Sequence, residues 1–360
     1  MRKRKVLAAV WSSICLCIFL GCGESAQSLT TGTEDTPEHI SQELCAYITV
    51  DADVIVEQPE QLYTYTALYD VLDAEKLKEI FMPDETDAVM DAMPEFENYS
   101  CTTADGTKRA SMAAGITYTD KPYSYYYVLV VTGDNWHLFP ESFPDIETVE
   151  VLPFADGKEA KDAAREMAGR LDLTLDEEPF VFEGIDAAGL TALYEQGLEI
   201  YGEDGIQRYL PDFEIEQDMG CYYMVWRVLG PHSERLRNAN LHIGGGTWTD
   251  GAYVAAIYSP GGLTHFYTNA VFEYESEEPL DQIVGVEAAL EQVKDLYENV
   301  IMTEEDQITI TEISLEYVPQ LVDIDQAVYE IKPAWCMYGT AGTADSPFML
   351  MVDAQTGEVL

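Results

Sequence analysis

Phe348-Met349-Leu350-Met351-Val352-Asp353-Ala354-Gln355-Thr356-Gly357-Glu358-Val359-Leu360 reads as an apolar strand, a turn and a short returning strand. Gly357 supplies the positive φ that such a turn needs. A second hairpin of the same kind lies upstream. Ala252 to Tyr258 runs into Ser259-Pro260-Gly261-Gly262 and returns over Leu263 to Tyr267. An aromatic-rich strand precedes each hairpin: Cys221 to Val228 in one case, Ala327 to Ile331 continuing to Trp335 in the other. Before each set comes a one-faced helix. Ala160, Ala163, Ala164, Met167, Ala168 and Leu171 form the first stripe; Val286, Ala289, Leu290, Val293, Leu296, Tyr297 and Val300 form the second. Both have helical spacing. The pattern predicts an α+β fold of small antiparallel sheets, each packed by a helix, with the C-terminal half a diverged duplication. One extra helix is expected in the first copy, on the face Leu190, Leu193, Tyr194, Gly197, Leu198 and Tyr201, with Asp186 as its N-cap.

Upstream of the duplication, residues 41–155 are expected to form an N-terminal α+β domain. Asp70 to Phe81 has helical spacing. Tyr123-Ser124-Tyr125-Tyr126-Tyr127-Val128-Leu129-Val130-Val131 reads as a strand, with Tyr123, Tyr125 and Tyr127 on one face and Tyr126 on the other. The copies then occupy 158–276 and 278–360. Residues 22–40 are small, polar and acidic, and read as a flexible tether.

The first residues carry an address. Arg2, Lys3, Arg4 and Lys5 precede an apolar run from Val6 to Leu20, followed by Gly21 and Cys22. Basic, apolar and small-residue regions in that order describe a secretory signal over residues 1–21. The run Ile18-Phe19-Leu20-Gly21-Cys22 resembles a bacterial lipoprotein signal, with Phe19 where that family usually has Leu. The resemblance implies lipidation of Cys22 and anchorage at the outer face of the cytoplasmic membrane. Two acyl chains hold a protein there stably.

The chain has 360 residues, 19 basic against 66 acidic, and a formal net charge of -47. Phosphate backbones would repel such a surface, so nucleic acid is not an expected partner. Basic peptides, cationic wall components and divalent cations are electrostatically permitted. At 47% hydrophobic and 11% aromatic, the chain has ample material for packed cores. Cys45, Cys101, Cys221 and Cys336 make no C-x-x-C pair. Export permits disulfides, and Cys45 with Cys101 is the expected pair if one forms.

The C-terminal residues carry a family resemblance. Ala288-Ala289, Ile313-Ser314-Leu315-Glu316-Tyr317, Tyr329-Glu330-Ile331-Lys332-Pro333-Ala334-Trp335 and Met351 to Val359 together look like a PepSY-type domain. The match is most similar to the form in the YycH and YycI accessory proteins of Gram-positive bacteria. This resemblance implies an extracytoplasmic, membrane-attached protein that binds and regulates an envelope protein or peptide without catalysis. Those proteins are held by an N-terminal membrane helix, whereas lipidation is expected here.

Catalytic and metal signals are sparse. His39, His137, His232, His242 and His265 are dispersed, with no H-E-x-x-H. No nucleophile elbow, S-x-x-K or P-loop is present. Asp51-x-Asp53 and Asp323-x-Asp325 lack the rest of an EF-hand loop. No cofactor and no metal are expected. The candidate ligand contacts are Trp248 beside the loop Gly244-Gly245-Gly246-Thr247, His265 in its strand, and the ladder Tyr123, Tyr125 and Tyr127. Each also has an ordinary reading as a packing or strand residue. The expected function is a non-catalytic surface lipoprotein that binds another envelope protein. A solute- or glycan-binding lipoprotein is the alternative, and a hydrolase using two carboxylates ranks third.

Overall fold

The computed structural model describes residues 29–30, 36–56, 61–69, 72–93, 98–113, 115–131, 146–210, 213–237, 252–269, 271–298, 300–323, 326–342 and 346–360. The chain opens with β1 (Leu29–Thr30), β2 (His39–Cys45), β3 (Ile48–Ile55) and β4 (Leu62–Tyr69). Helix α1 (Ala74–Phe81) leads into β5 (Val89–Met93), β6 (Asn98–Thr102), β7 (Lys108–Met112) and β8 (Ile116–Asp120). Helices α2 (Ser124–Val131) and α3 (Gly157–Arg170) follow, then β9 (Thr174–Leu175), β10 (Val181–Asp186) and α4 (Ala187–Tyr209). The meander β11 (Gly220–Leu229), β12 (Tyr253–Ser259) and β13 (Gly262–Thr268) comes next. Then come β14 (Phe272–Leu280), β15 (Ile283–Val284), α5 (Val286–Glu298), β16 (Ile308–Asp323), β17 (Val328–Ala341) and β18 (Ser346–Asp353).

Among the described residues these strands make two large sheets and the small pair β1-β15. One large sheet has nine strands in the order β10-β11-β12-β13-β8-β7-β6-β5, with β9 beside β11. The other has seven, in the order β14-β4-β17-β16-β3-β2, with β18 beside β17. Pairing is antiparallel throughout except for β16 with β3. The α+β class is as the sequence predicts; α5 leads into β16, β17 and β18, whereas β9, β10 and α4 stand between α3 and the meander β11 to β13.

The expected first domain, 41–155, does not correspond to a sheet. Its early strands, β2 to β4, lie in the seven-stranded sheet, while β5 to β8 lie in the nine-stranded one. The whole nine-stranded sheet, from α1 to β13, is an insertion between β4 and β14 of the seven-stranded sheet. A boundary drawn from turn residues near 155 missed this nesting, because strand pairing between distant segments leaves no local mark.

Local chemistry explains the helices. Asp73 Oδ1 accepts the Lys76 N–H at 2.9 Å and starts α1; Asp156 Oδ1 accepts the Glu159 N–H at 2.8 Å and starts α3. Asp186 Oδ1 accepts the N–H groups of Ala188 and Gly189, the cap expected for α4. Helix α3 buries Ala160, Ala164, Met167 and Ala168, and α5 buries Val286, Ala289, Leu290 and Val293. Both turn glycines carry positive φ, Gly262 at 87° and Gly357 at 76°.

Strand β11 is covered on both faces. Tyr222, Met224 and Trp226 join the core under α3, which continues into the seven-stranded sheet; Cys221, Tyr223 and Val225 join a second core with α2 and α4. Covering both faces explains its unbroken apolar run.

The stretch read as a tyrosine strand is instead a 3-10 turn (Lys121–Tyr123) leading into α2. Pro122 starts that turn, and Ser124 Oγ donates to the Lys121 carbonyl at 2.8 Å. Tyr126, Leu129 and Val130 are fully buried between α4 and the sheet. A helix apolar all round is stable where both sides are covered, and this burial overrides β propensity.

Trp335 ties β15, just before α5, to β17. It is wholly buried, and its indole N–H donates to the Val284 carbonyl at 2.7 Å. Trp335→Ala is expected to cost about 3–5 kcal/mol. Chemical denaturation of wild-type and variant chains measures it.

Candidate functional site at the seam between the sheets

The two sheets meet where β11 ends. Gly230 to Arg237 leaves the nine-stranded sheet and lies along β16. Arg237 N–H donates to the Tyr317 carbonyl and Tyr317 N–H to the Arg235 carbonyl, both at 2.8 Å. Ser233 turns the chain at a φ of 70°. A Cβ at Gly230 would stand 2.5 Å from Glu234 Oε2, so a larger residue there would displace that carboxylate.

Two buried carboxylates organise the seam. Glu316 on β16 is met by Arg235 Nε at 3.5 Å and Arg237 Nη1 at 3.3 Å. Ser314 Oγ donates to it at 2.6 Å and the Tyr338 hydroxyl at 3.1 Å. Burial by itself would push this carboxyl up. The Arg237 and Arg235 guanidiniums, with the two hydroxyl donors, outweigh burial and hold it below its usual range. Arg237 also lies over the Tyr338 ring, 5.3 Å from its centroid. The second carboxylate, Glu234, accepts from the Tyr65 hydroxyl and from the His232 N–H at 2.7 Å. Burial and this carboxylate push the Tyr65 hydroxyl far above its usual range. His232 stacks on Tyr63 at 4.5 Å and bonds Glu277 through Nε2 at 2.9 Å.

A cleft of about 560 Å³ opens beside this seam. Lys76, Asp172, Thr174 and Glu273 give it polar walls; Leu173, Leu229, Pro231, Leu236, Phe272 and Tyr274 give it apolar ones. Its described lining contains no Ser, Cys or His. Such mixed walls suit a small polar ligand or a side chain of a partner.

The residues singled out in the sequence lie elsewhere. His265 lies in β13, as its strand reading expects, but on a covered face. It is buried under α2, stacked on Tyr127 at 4.1 Å, with Nδ1 3.3 Å from Thr119 Oγ1. Burial pushes the imidazole down to about 3, and its Nε2 has no hydrogen-bond partner. Tyr123, Tyr125 and Tyr127 form no ladder. Tyr123 packs against Gly261, Tyr125 against Phe213 at 4.9 Å, and only Tyr127 reaches His265. Trp248 and Gly244 to Thr247 lie outside the described residues, as do Cys22, His137, His242 and Asp325. Cys45 and Cys101 are not paired. They sit in different sheets, and all four described cysteines are free thiols. Asp51 and Asp53 hold the exposed His39, at 3.2 and 2.9 Å, and raise its pKa, chiefly through the Asp53 bond. Asp323 accepts the Gln326 N–H at 3.2 Å as a turn residue. No group of three potential metal ligands occurs among the described residues.

The seam itself escaped sequence reading. One signal was present: Arg235-x-Arg237 in a chain with only 19 basic residues. In an extended segment those two guanidiniums share a face.

No family model and no curated protein matches this chain. Solved structures do. An uncharacterized protein from Eubacterium rectale ATCC 33656 matches with a TM-score of 0.56 at 16% identity, covering 90% of this chain and 93% of that one. The Bacillus megaterium YpeB C-terminal domain is a more distant likeness, with a TM-score of 0.27 at 9% identity, over 79% of this chain and 92% of that one. The first shows a shared fold.

Two acid responses follow from the buried groups. His265 stays neutral in the fold, while an unfolded histidine protonates near 6.5. Stability should therefore fall with pH from about 6.5 toward 3, at roughly 1 kcal/mol per unit, and His265→Leu should flatten that slope. Glu316 shares that bias toward the deprotonated form, which for a carboxyl is the charged one. Its depressed pKa contributes stability above the ordinary carboxyl value, which is lost as pH falls below 4.5. Arg237→Leu leaves Glu316 short of a partner and is expected to cost about 3–5 kcal/mol near neutral pH. Denaturant titrations from neutral to acid pH read all three.

Proposed function

We propose that this chain is a non-catalytic protein, lipid-anchored through Cys22 at the outer face of the cytoplasmic membrane, that binds or restrains another envelope protein. Its helix-then-meander units would be PepSY-like modules of the YycH/YycI type. The observation that carries this reading is the seam. Glu234 and Glu316, both fully buried, are held by Tyr65, His232, Arg235 and Arg237 across the two sheets. These ionisable groups join the layers and do not converge on a reacting centre. Rigid layers with a side cleft suit recognition. The acidity fits a covalent anchor, since anionic lipid headgroups repel such a surface.

A second reading has its own support. The cleft is large enough for a small solute, which favours a solute- or glycan-binding lipoprotein. Crosslinking on intact cells separates the two. Recovery of one dominant envelope protein supports the first reading. Recovery of none, with a small molecule protecting the cleft residues from hydrogen exchange, transfers support to the second.

The anchor has a separate test. Cys22→Ala, expressed behind a signal that is cleaved without lipidation, is expected to move the protein from the membrane fraction to the medium, because an acidic surface is repelled by anionic lipid. Fractionation with immunoblotting reads the result.

A further inference from the structure

The outer strand of the nine-stranded sheet breaks the rule that the other sheet edges follow. A sheet edge offers unpaired N–H and C=O groups, and proteins usually blunt it with charge, proline or a covering element. The edge strand β14 carries Glu273, Glu275, Glu277, Glu278 and Pro279. The edge strand β10 is bridged by Val149, whose N–H donates to the Gly184 carbonyl at 2.7 Å. Helix α5 packs against β2. The outer side of β18 receives the C-terminal residues, where Leu360 N–H donates to the Met351 carbonyl at 2.9 Å. Helix α1, which packs on β6 and β7, also reaches β5 from one face, but among the described residues no strand, bridge or proline meets the outer backbone of β5. All five of its residues are exposed, with Val89 at 61%, Met90 at 40% and Met93 at 42%. Apolar side chains are therefore presented on both faces of an open edge.

Register identifies the free groups. Thr103 N–H donates to the Lys108 carbonyl, toward β7. Amides alternate along a strand, so Ser100 turns toward β5, where it opposes Asp91. The N–H groups of Met90 and Ala92 then point away from the sheet. Among the described residues, Ala92 N–H is met by its neighbour's carboxylate, Asp91 Oδ1, at 3.0 Å. Charge completes the description. Between Leu77 and Ala92 there are five carboxylates (Glu79, Asp84, Glu85, Asp87 and Asp91) against one ammonium, Lys78. Asp84, Asp87 and Asp91 are exposed. A second copy of this edge would bring those carboxylates against their own kind.

We propose that β5 is a docking edge that adds an extended segment of a cationic partner, a polypeptide strand with alternating apolar and Lys or Arg residues, to the nine-stranded sheet. The partner's backbone pairs with Met90 and Ala92. Its apolar residues cover Met90 and Ala92 on one face; on the other its cations meet Asp91 and the acidic turn before the strand, with their aliphatic stems over Val89 and Met93. Strand addition supplies affinity through main-chain bonds and specificity through alternate side chains. This inference rests on the proposed envelope-binding role and names the chemistry of the partner.

The full chain is titrated with labelled peptides of alternating Val and Lys, or Val and Glu, with fluorescence anisotropy and hydrogen exchange as readouts. The Val/Lys peptide should bind, protect residues 89–93 and weaken as salt rises. Ala92→Pro removes an outward N–H without touching the pairing with β6, so the fold should survive, and affinity should drop about tenfold. Asp91→Lys should reverse the preference toward Val/Glu. Equal binding of both peptides by the wild-type chain, or binding without protection at 89–93, overturns the proposal. So does a peptide-free dimer that Ala92→Pro dissolves, since the occupant would then be a second copy. Crosslinking in cells keeps the two ideas apart. An envelope partner retained equally by wild-type and Ala92→Pro chains overturns the docking edge and leaves the proposed function standing. No retained partner for either chain overturns both.

Discussion

The buried carboxylate of Glu316 is the constraint on which the arrangement of the two sheets depends. An ionised carboxylate removed from water costs several kcal/mol unless charge and hydrogen bonds replace its hydration. Here Arg235, Arg237, Ser314 and Tyr338 supply both. Ser314 and Tyr338 belong to the seven-stranded sheet itself, whereas the two arginines arrive from the inserted nine-stranded one. The carboxylate is therefore satisfied only when the insertion docks in one register. Main-chain bonds between Tyr317 and Arg235 and Arg237 fix the same register independently. We regard the cluster as a specifier of docking more than as a source of net stability, since well-packed apolar groups often stabilise as much.

Tyr65, Glu234 and His232 repeat the same logic a few residues away. Tyr65 belongs to β4, before the insertion, and Glu234 belongs to the insertion. Aromatic contacts continue the contact outward through Tyr63, Tyr274 and Tyr317. The cleft lies where this packing ends, between α1, the end of α3 and β14. The seam, the adjoining cleft and the edge strand β5 are the features on which the proposed binding role rests.

Much of the local structure was legible in the sequence. Helices α3 and α5 were visible as one-faced stripes, and the cap of α4 as Asp186 just before the helix. The two glycine turns announced their hairpins. The exception is informative. Tyr123 to Val131 has strand composition, yet it folds as a helix because α4 and the sheet cover it on both sides. Apolar runs without alternation carry no period that distinguishes the two outcomes. His265 lies in its expected strand, but its burial was not legible for a related reason: alternation along β13 says which face a residue takes, not whether a helix covers that face.

The sequence by itself determined the α+β class, the helix stripes, the turns and the strong acidity, because these follow from local periodicity, backbone preference and composition. Tertiary structure alone decided that the nine-stranded sheet is an insertion, that Cys45 and Cys101 stand apart, and that Glu234 and Glu316 are buried against their partners. The physical reason is range. A stripe or a turn is set by residues within a few positions of each other, whereas Glu316 is 79 positions from Arg237 in the chain numbering. Their attraction acts only after the fold has brought both out of water.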